Sequence, residues 1–123
     1  MTRPLAIGDV LKVSLPQQNP PGHEQEGYRP AVVVGIIPGP MRYPMVLVVP
    51  TTTHTGQTWA AENLKVYPLL KAGSGSLTVD SIVLLDQLRS VDLGRIGAYM
   101  GTLNPEEYAP IHEGLVLILG LKK

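Results

Sequence analysis

The sequence predicts an α+β fold that is mainly β: a small, strongly curved antiparallel sheet or barrel with one α-helix at its C-terminal end. A two-residue alternation near the start, two β-branched runs in the middle and one helical stripe at the end carry that reading.

In residues 8–15, Leu11, Val13 and Leu15 fall on one face and Lys12 and Ser14 on the other, the period of a strand with one side in the core. Residues 16–28 hold three prolines and two glycines among polar side chains, which suits neither a ladder nor a helix, so a mobile loop is expected there. Residues 30–37 and 45–49 are nearly continuous β-branched runs on either side of Pro38-Gly39-Pro40, and they read as paired, buried strands. A weaker strand is expected at residues 64–67, followed by a surface turn of small residues at 71–76. An apolar pattern resumes over residues 81–91.

Asn104-Pro105-Glu106-Glu107 supplies a capping residue, a proline at the first helical position and two acids in the first turn, so a helix starts there. Tyr108, Ile111, Leu115, Ile118 and Leu119 recur at three- and four-residue steps, which predicts one stripe docked on the sheet and a close at Gly120. Pro110 removes one backbone hydrogen bond, so a kink or an irregular first turn is expected.

A length of 123 residues predicts a single domain spanning 1–123 with a thin core that oligomerisation would help. Ten basic and ten acidic side chains give a formal net charge of zero, so any nucleic-acid site must be local rather than a property of the whole surface. The absence of cysteine excludes disulfides and thiolate metal sites. The opening Met1-Thr2-Arg3-Pro4-Leu5-Ala6-Ile7-Gly8-Asp9 is broken by Pro4 and Asp9 before any apolar run of signal length, and no run approaches the ~20 residues that span a bilayer. A soluble, cytoplasmic protein with no membrane association is expected.

Four blocks stand in order along the chain: Gly8-Asp9-Val10, then Glu24-Gln25-Glu26-Gly27-Tyr28-Arg29-Pro30, then Pro50-Thr51-Thr52-Thr53, then Leu84-Leu85-Asp86-Gln87. The tail Gly101-Thr102-Leu103-Asn104-Pro105-Glu106-Glu107 leads into the amphipathic segment. Together they resemble the MazF/PemK family of toxin endoribonucleases over almost the whole chain. The resemblance implies an SH3-like barrel of the CcdB/PemK type, a homodimer, and metal-independent cleavage of single-stranded RNA through a 2′,3′-cyclic phosphate. It also implies inhibition by a cognate antitoxin with an acidic C-terminal segment. His23 stands where the family usually has serine, and Pro16, Pro20 and Pro21 precede it.

The resemblance assigns the catalytic roles to Arg29, the arginine before proline, and Thr52, the threonine two residues after proline. A guanidinium can clamp a phosphate with two hydrogen bonds and keeps its charge at physiological pH, and a hydroxyl can donate to a nonbridging oxygen. Taken singly, Arg29 reads as a strand-end surface cation and Thr52 as a residue chosen for β propensity; it is the pair, with both flanks matching, that points to the site. His23, Glu24, Gln25, Thr53 and Gln87 are the candidate substrate-binding residues, with Gln87 placed to read base edges. His23 and His54 are candidates for near-neutral proton transfer, and His112 is read as structural or exposed. The spacings of the histidines form no metal-site signature, so no metal and no cofactor are expected. Trp59 could stack a base or, in the preferred reading, cover a dimer core.

Two other functions are compatible with the same fold. A CcdB-like toxin binds gyrase without catalysis, but that activity goes with a Trp-Gly-Ile ending, whereas this chain ends Leu121-Lys122-Lys123. An inactive family member could persist as a protein-binding module.

Overall fold

The computed structural model describes residues 4–122. Met1, Thr2 and Arg3, the start of the segment read as no export signal, and Lys123 lie outside the described residues.

Three strands form the centre of the sheet: β1 (Asp9–Leu15), β2 (Gly27–Ile36) and β3 (Met45–Thr53). They pair antiparallel in sequence order, with Val13 opposite Arg29 and Ala31 opposite Pro50. The two β-branched runs are therefore paired as expected. Their continuous apolar character has a physical cause, because this part of the sheet is covered on both faces. Val10, Val32 and Val49 belong to one buried cluster, while Leu11, Val13, Ala31, Val33 and Val48 belong to another. A strand buried on both faces has no polar side to show, so alternation is lost.

The remaining strands are β4 (Leu69–Leu70), β5 (Ser81–Val83), β6 (Arg89–Asp92) and β7 (Ile96–Thr102). The sheet order is β4-β5-β3-β2-β1-β7, with β6 also paired to β3. β3 is thus shared: Met45 to Val48 pair with β6, and Thr51 to Thr53 pair with β5. Two different neighbours along one edge, together with register shifts between β1 and β7, curl the sheet into an antiparallel half-barrel. The buried carboxylate of Asp9 helps fix that curl, accepting a hydrogen bond from the Thr102 hydroxyl of β7 at 2.8 Å and from the Ala6 N–H at 2.8 Å.

Several local expectations are corrected. Residues 64–67 are not a strand; they follow a short helix, α1 (Thr58–Ala61), and turn back so that the N–H groups of Val66 and Tyr67 both donate to the Asn63 carbonyl. The strand of this region forms only after Pro68, at β4. The apolar pattern over residues 81–91 resolves into two strands, because a 3₁₀ turn at Leu85–Gln87 buries Leu85 and separates β5 from β6. The loop expected through Tyr28 ends earlier, with Gly27 opposite Leu15 and Tyr28 opposite Ser14.

The terminal helix, α2 (Pro105–Ile118), opens as its sequence requires. The Asn104 side chain accepts from the Glu107 N–H at 2.8 Å, and the Glu107 carboxylate accepts from the Asn104 N–H at 2.9 Å. No irregular first turn accompanies Pro110: the Tyr108 N–H donates to the Asn104 carbonyl at 3.0 Å and the helix continues through the proline. Ile111 and Leu115 enter the core beside Leu85, and a side chain at Gly114 would collide with Leu85 and the Lys65 carbonyl. Gly120, at φ +67°, closes the helix as expected, with the Leu121 N–H donating to the Val116 carbonyl. The docking stripe is shorter than predicted. Ile118 and Leu119 are 39% and 51% exposed, and the buried part of the stripe ends at Leu115. No helix among the described residues is long and apolar enough to cross a membrane.

Candidate active site

Where β2 and β3 leave the core, a cleft of about 470 Å³ opens between their ends and the segment before β5, and Arg29, Thr52 and Thr53 line it together. Register explains the meeting. Arg29 is two residues from Ala31, which faces Pro50, so the arginine's side chain reaches the Pro50-Thr51-Thr52 end of β3. Its Nε donates to the Glu26 carbonyl at 2.8 Å, and its Nη1 makes a longer bond of 3.4 Å to the Thr51 carbonyl. Both partners are neutral backbone groups, so these contacts fix the guanidinium without cancelling its charge. Thr51 supports the same junction from inside: it is buried, and its hydroxyl donates to the Pro30 carbonyl at 3.0 Å.

Lys12 also lines this cleft, and no carboxylate does. Two cations with the hydroxyls of Thr52, Thr53, Thr78 and Ser81 make a local anion-binding surface on a chain of zero net charge. Lys12 is the residue that sequence reasoning missed. Its alternation marks it only as the polar face of β1, yet it pairs opposite Pro30, next to Arg29, and its ammonium lies 5.7 Å from the centre of the Tyr28 ring. The Tyr28 hydroxyl in turn accepts from the Ala98 N–H at 3.2 Å, and only a glycine at position 97 leaves room for it.

The other candidates form a second group beside the cleft. The Gln87 amide is engaged at both ends by the backbone of the loop: its Nε2 donates to the His23 carbonyl at 3.0 Å and its Oε1 accepts from the Gln25 N–H at 3.1 Å. Glu24 lies between those two anchor points and is exposed. The loop closes on itself where the Gln18 N–H donates to the Glu26 carboxylate at 2.8 Å. A segment read as mobile is thus tethered at 18, 23, 25 and 26, and Gly27, at φ +89°, makes the bend from its end into β2.

Neither His23 nor His54 lines the cleft. His54 follows β3, and its backbone N–H donates to the Asp80 carbonyl. Trp59 sits on α1, 43% exposed, with its ring edge-on to Tyr67 at 4.9 Å. The Tyr67 hydroxyl donates to the Asp86 carboxylate at 2.7 Å, and this bond, ahead of burial and the carboxylate's charge, pushes the Tyr67 pKa up. No group of three or more histidine, aspartate or glutamate side chains among the described residues could hold a metal ion.

The chain is 27% identical over 115 residues to Endoribonuclease MazF of Staphylococcus saprophyticus, covering 93% of this chain and 90% of that protein. MazF (Form-I) from Deinococcus radiodurans superposes with a TM-score of 0.68 at 25% identity, covering 94% of this chain and 96% of that one. An endoribonuclease in complex with its cognate antitoxin from a mycobacterial species shares the fold, with a TM-score of 0.69 at 20% identity over 98% of this chain and 99% of that one. Residues 6–119 match the family described as PemK-like, MazF-like toxin of type II toxin-antitoxin system, and the chain belongs to that family.

Proposed function

We propose that the protein is an endoribonuclease of one domain, acting in the cytoplasm as a homodimer, which cuts single-stranded RNA at preferred short sequences without a metal ion. The observation that carries the reading is the cleft in which Arg29, Lys12 and Thr52 meet with no opposing carboxylate. Family membership and the relatedness to Endoribonuclease MazF support it.

In the proposed reaction the ribose 2′-oxygen attacks the adjacent phosphorus, the bond from phosphorus to the 5′-oxygen breaks, and a 2′,3′-cyclic phosphate remains. The proton lost by the 2′-hydroxyl is balanced by the one gained by the 5′-oxygen. Negative charge builds on the phosphorane oxygens between these events. Arg29 stabilises that charge through its fork of N–H donors, with Lys12 adding a second cation and Thr52 a hydroxyl donor. The guanidinium, a fork of fixed donors, serves as a charge stabiliser rather than a proton source. Glu24 and Gln25 flank the substrate path, held there by Gln87.

An acidic antitoxin segment inhibits the enzyme by occupying the same cleft, because a carboxylate matches the guanidinium fork as a phosphate does. Homodimer formation is supported by apolar side chains left exposed at the end of α2, among them Leu117 at 59% and Leu121 at 57%.

The test is cleavage of a single-stranded RNA in EDTA. Wild-type protein should cut it, and Arg29→Ala and Thr52→Ala should each lose about 100-fold or more in rate, roughly 3 kcal/mol of transition-state stabilisation, while staying folded. A requirement for added magnesium, or wild-type rates in both variants, would overturn the assignment.

A further inference from the structure

We propose that a second cleft, around Arg89 and Arg95, is a nucleotide subsite that holds a phosphate and a base of the RNA strand away from the bond that is cut. The inference rests on the RNA-cleaving reading above. The cleft measures about 460 Å³ and is lined by Arg89, Arg95, Tyr43 and Pro16 among others.

The placement of arginine carries the argument. The chain has five arginines, and of the four among the described residues three line the two clefts while the fourth, Arg42, packs on a residue of the second. Arg29 lines the first, Arg89 and Arg95 line the second, and Arg42 lies over the Tyr43 ring at 5.0 Å. Guanidinium is the side chain best matched to phosphate oxygens, and an exposed aromatic ring backed by a guanidinium suits an unpaired base. Tyr43 is 58% exposed. One acid, Asp92, lines the cleft, and its Oδ1 already accepts the Gly94 N–H at 2.7 Å. Two guanidinium groups against one carboxylate leave the cleft positive.

The two clefts are joined by the tethered loop. Arg29 is bonded to Glu26, Gln25 is bonded to Gln87, and Arg89 follows Gln87 by two residues. Pro16, where the loop begins, lines the second cleft. Along that route the Glu26 carboxylate is turned to the Gln18 N–H, and Glu24 is the exposed acid. A strand leaving Arg29 along the loop therefore meets Arg89 and Arg95 next.

The experiment is fluorescence anisotropy with fully 2′-O-methylated RNA, which lacks the attacking hydroxyl, in lengths of about four and about ten nucleotides built around the mapped cut. Lengthening should tighten wild-type binding about tenfold or more, and Arg95→Gln and Arg89→Gln should each lose most of that gain. Each should also flatten the dependence of log affinity on log salt by about 0.7, the value for one lost phosphate contact on a single strand. Tyr43→Ala should weaken the longer RNA without changing the salt slope, and Lys71→Gln, away from both clefts, should gain as the wild type does. Circular dichroism checks folding; the exposed Arg95 decides the matter if Arg89→Gln fails to fold. Should Arg95→Gln gain as much from length as the wild type, the subsite is wrong while the RNA reading stands. If folded wild-type protein binds neither length, the RNA reading falls and the subsite with it.

Discussion

The guanidinium of Arg29 is held in place by carbonyls of two different segments, Glu26 in the loop and Thr51 in β3. Its value to the proposed reaction lies in a fixed fork as much as in its charge. Arg29→Lys keeps the charge but loses the planar donor pair and both tethers, so steady-state kinetics should show kcat/KM lower by about tenfold or more. Retention of full activity would mean that any cation suffices. The meeting of Arg29 and Thr52 was legible in the sequence, because Arg29 directly precedes Pro30 and Thr52 stands two residues after Pro50, each in a recognisable motif. Lys12 was not. A lysine alternating with Leu11 and Val13 is what any half-buried strand presents, and only the register of β1 on β2, with Lys12 opposite Pro30, brings it beside Arg29. Gln87 was singled out in the sequence as a candidate base reader, but its bonds to the loop were not legible, since its partners are backbone groups 62 and 64 positions away and leave no side-chain signature.

The loop and the terminal helix make separate predictions at the level of elements. Gln87→Ala removes two bonds to the loop, each worth about 1 kcal/mol net, so hydrogen exchange at residues 18–26 should accelerate while the core strands keep their protection. Unchanged exchange there would show that the loop holds itself. Asn104→Ala should cost about 1 kcal/mol through the broken capping box, and Ile111→Ala about 2–5 kcal/mol through the cavity left among Leu85, Val49 and Leu115. Urea denaturation measures both, and the order Ile111 above Asn104 is the part that matters. The helix start could be read from residues 104–107 because capping is a local matter. The strand β7 could not, since its side chains are mostly exposed or half-buried and its place depends on pairing with β1.

For the whole molecule, the apolar end of α2 and the thin core predict assembly. Sedimentation at micromolar concentration should give a dimer mass, and Leu117→Asp should shift it toward monomer; a monomeric wild type would contradict the homodimer. Alkali should weaken the fold. Tyr67, bonded to Asp86, and Tyr108, half-buried, both hold their protons more tightly when folded than a tyrosine's ordinary value of about 10 allows. Because the folded pKa is the higher one, the stabilisation is present below about pH 10 and is lost as pH rises through it. Thermal melts between pH 9 and 11 should show less loss in Tyr67→Phe than in wild type. The central claim is that the ribose 2′-oxygen is the attacking group in the Arg29 cleft. It is tested most directly by replacing the single nucleotide 5′ of a mapped cut with its 2′-deoxy form and measuring cleavage in EDTA. The account predicts that this one substitution abolishes cutting there; cleavage of the deoxy substrate at an undiminished rate would contradict it.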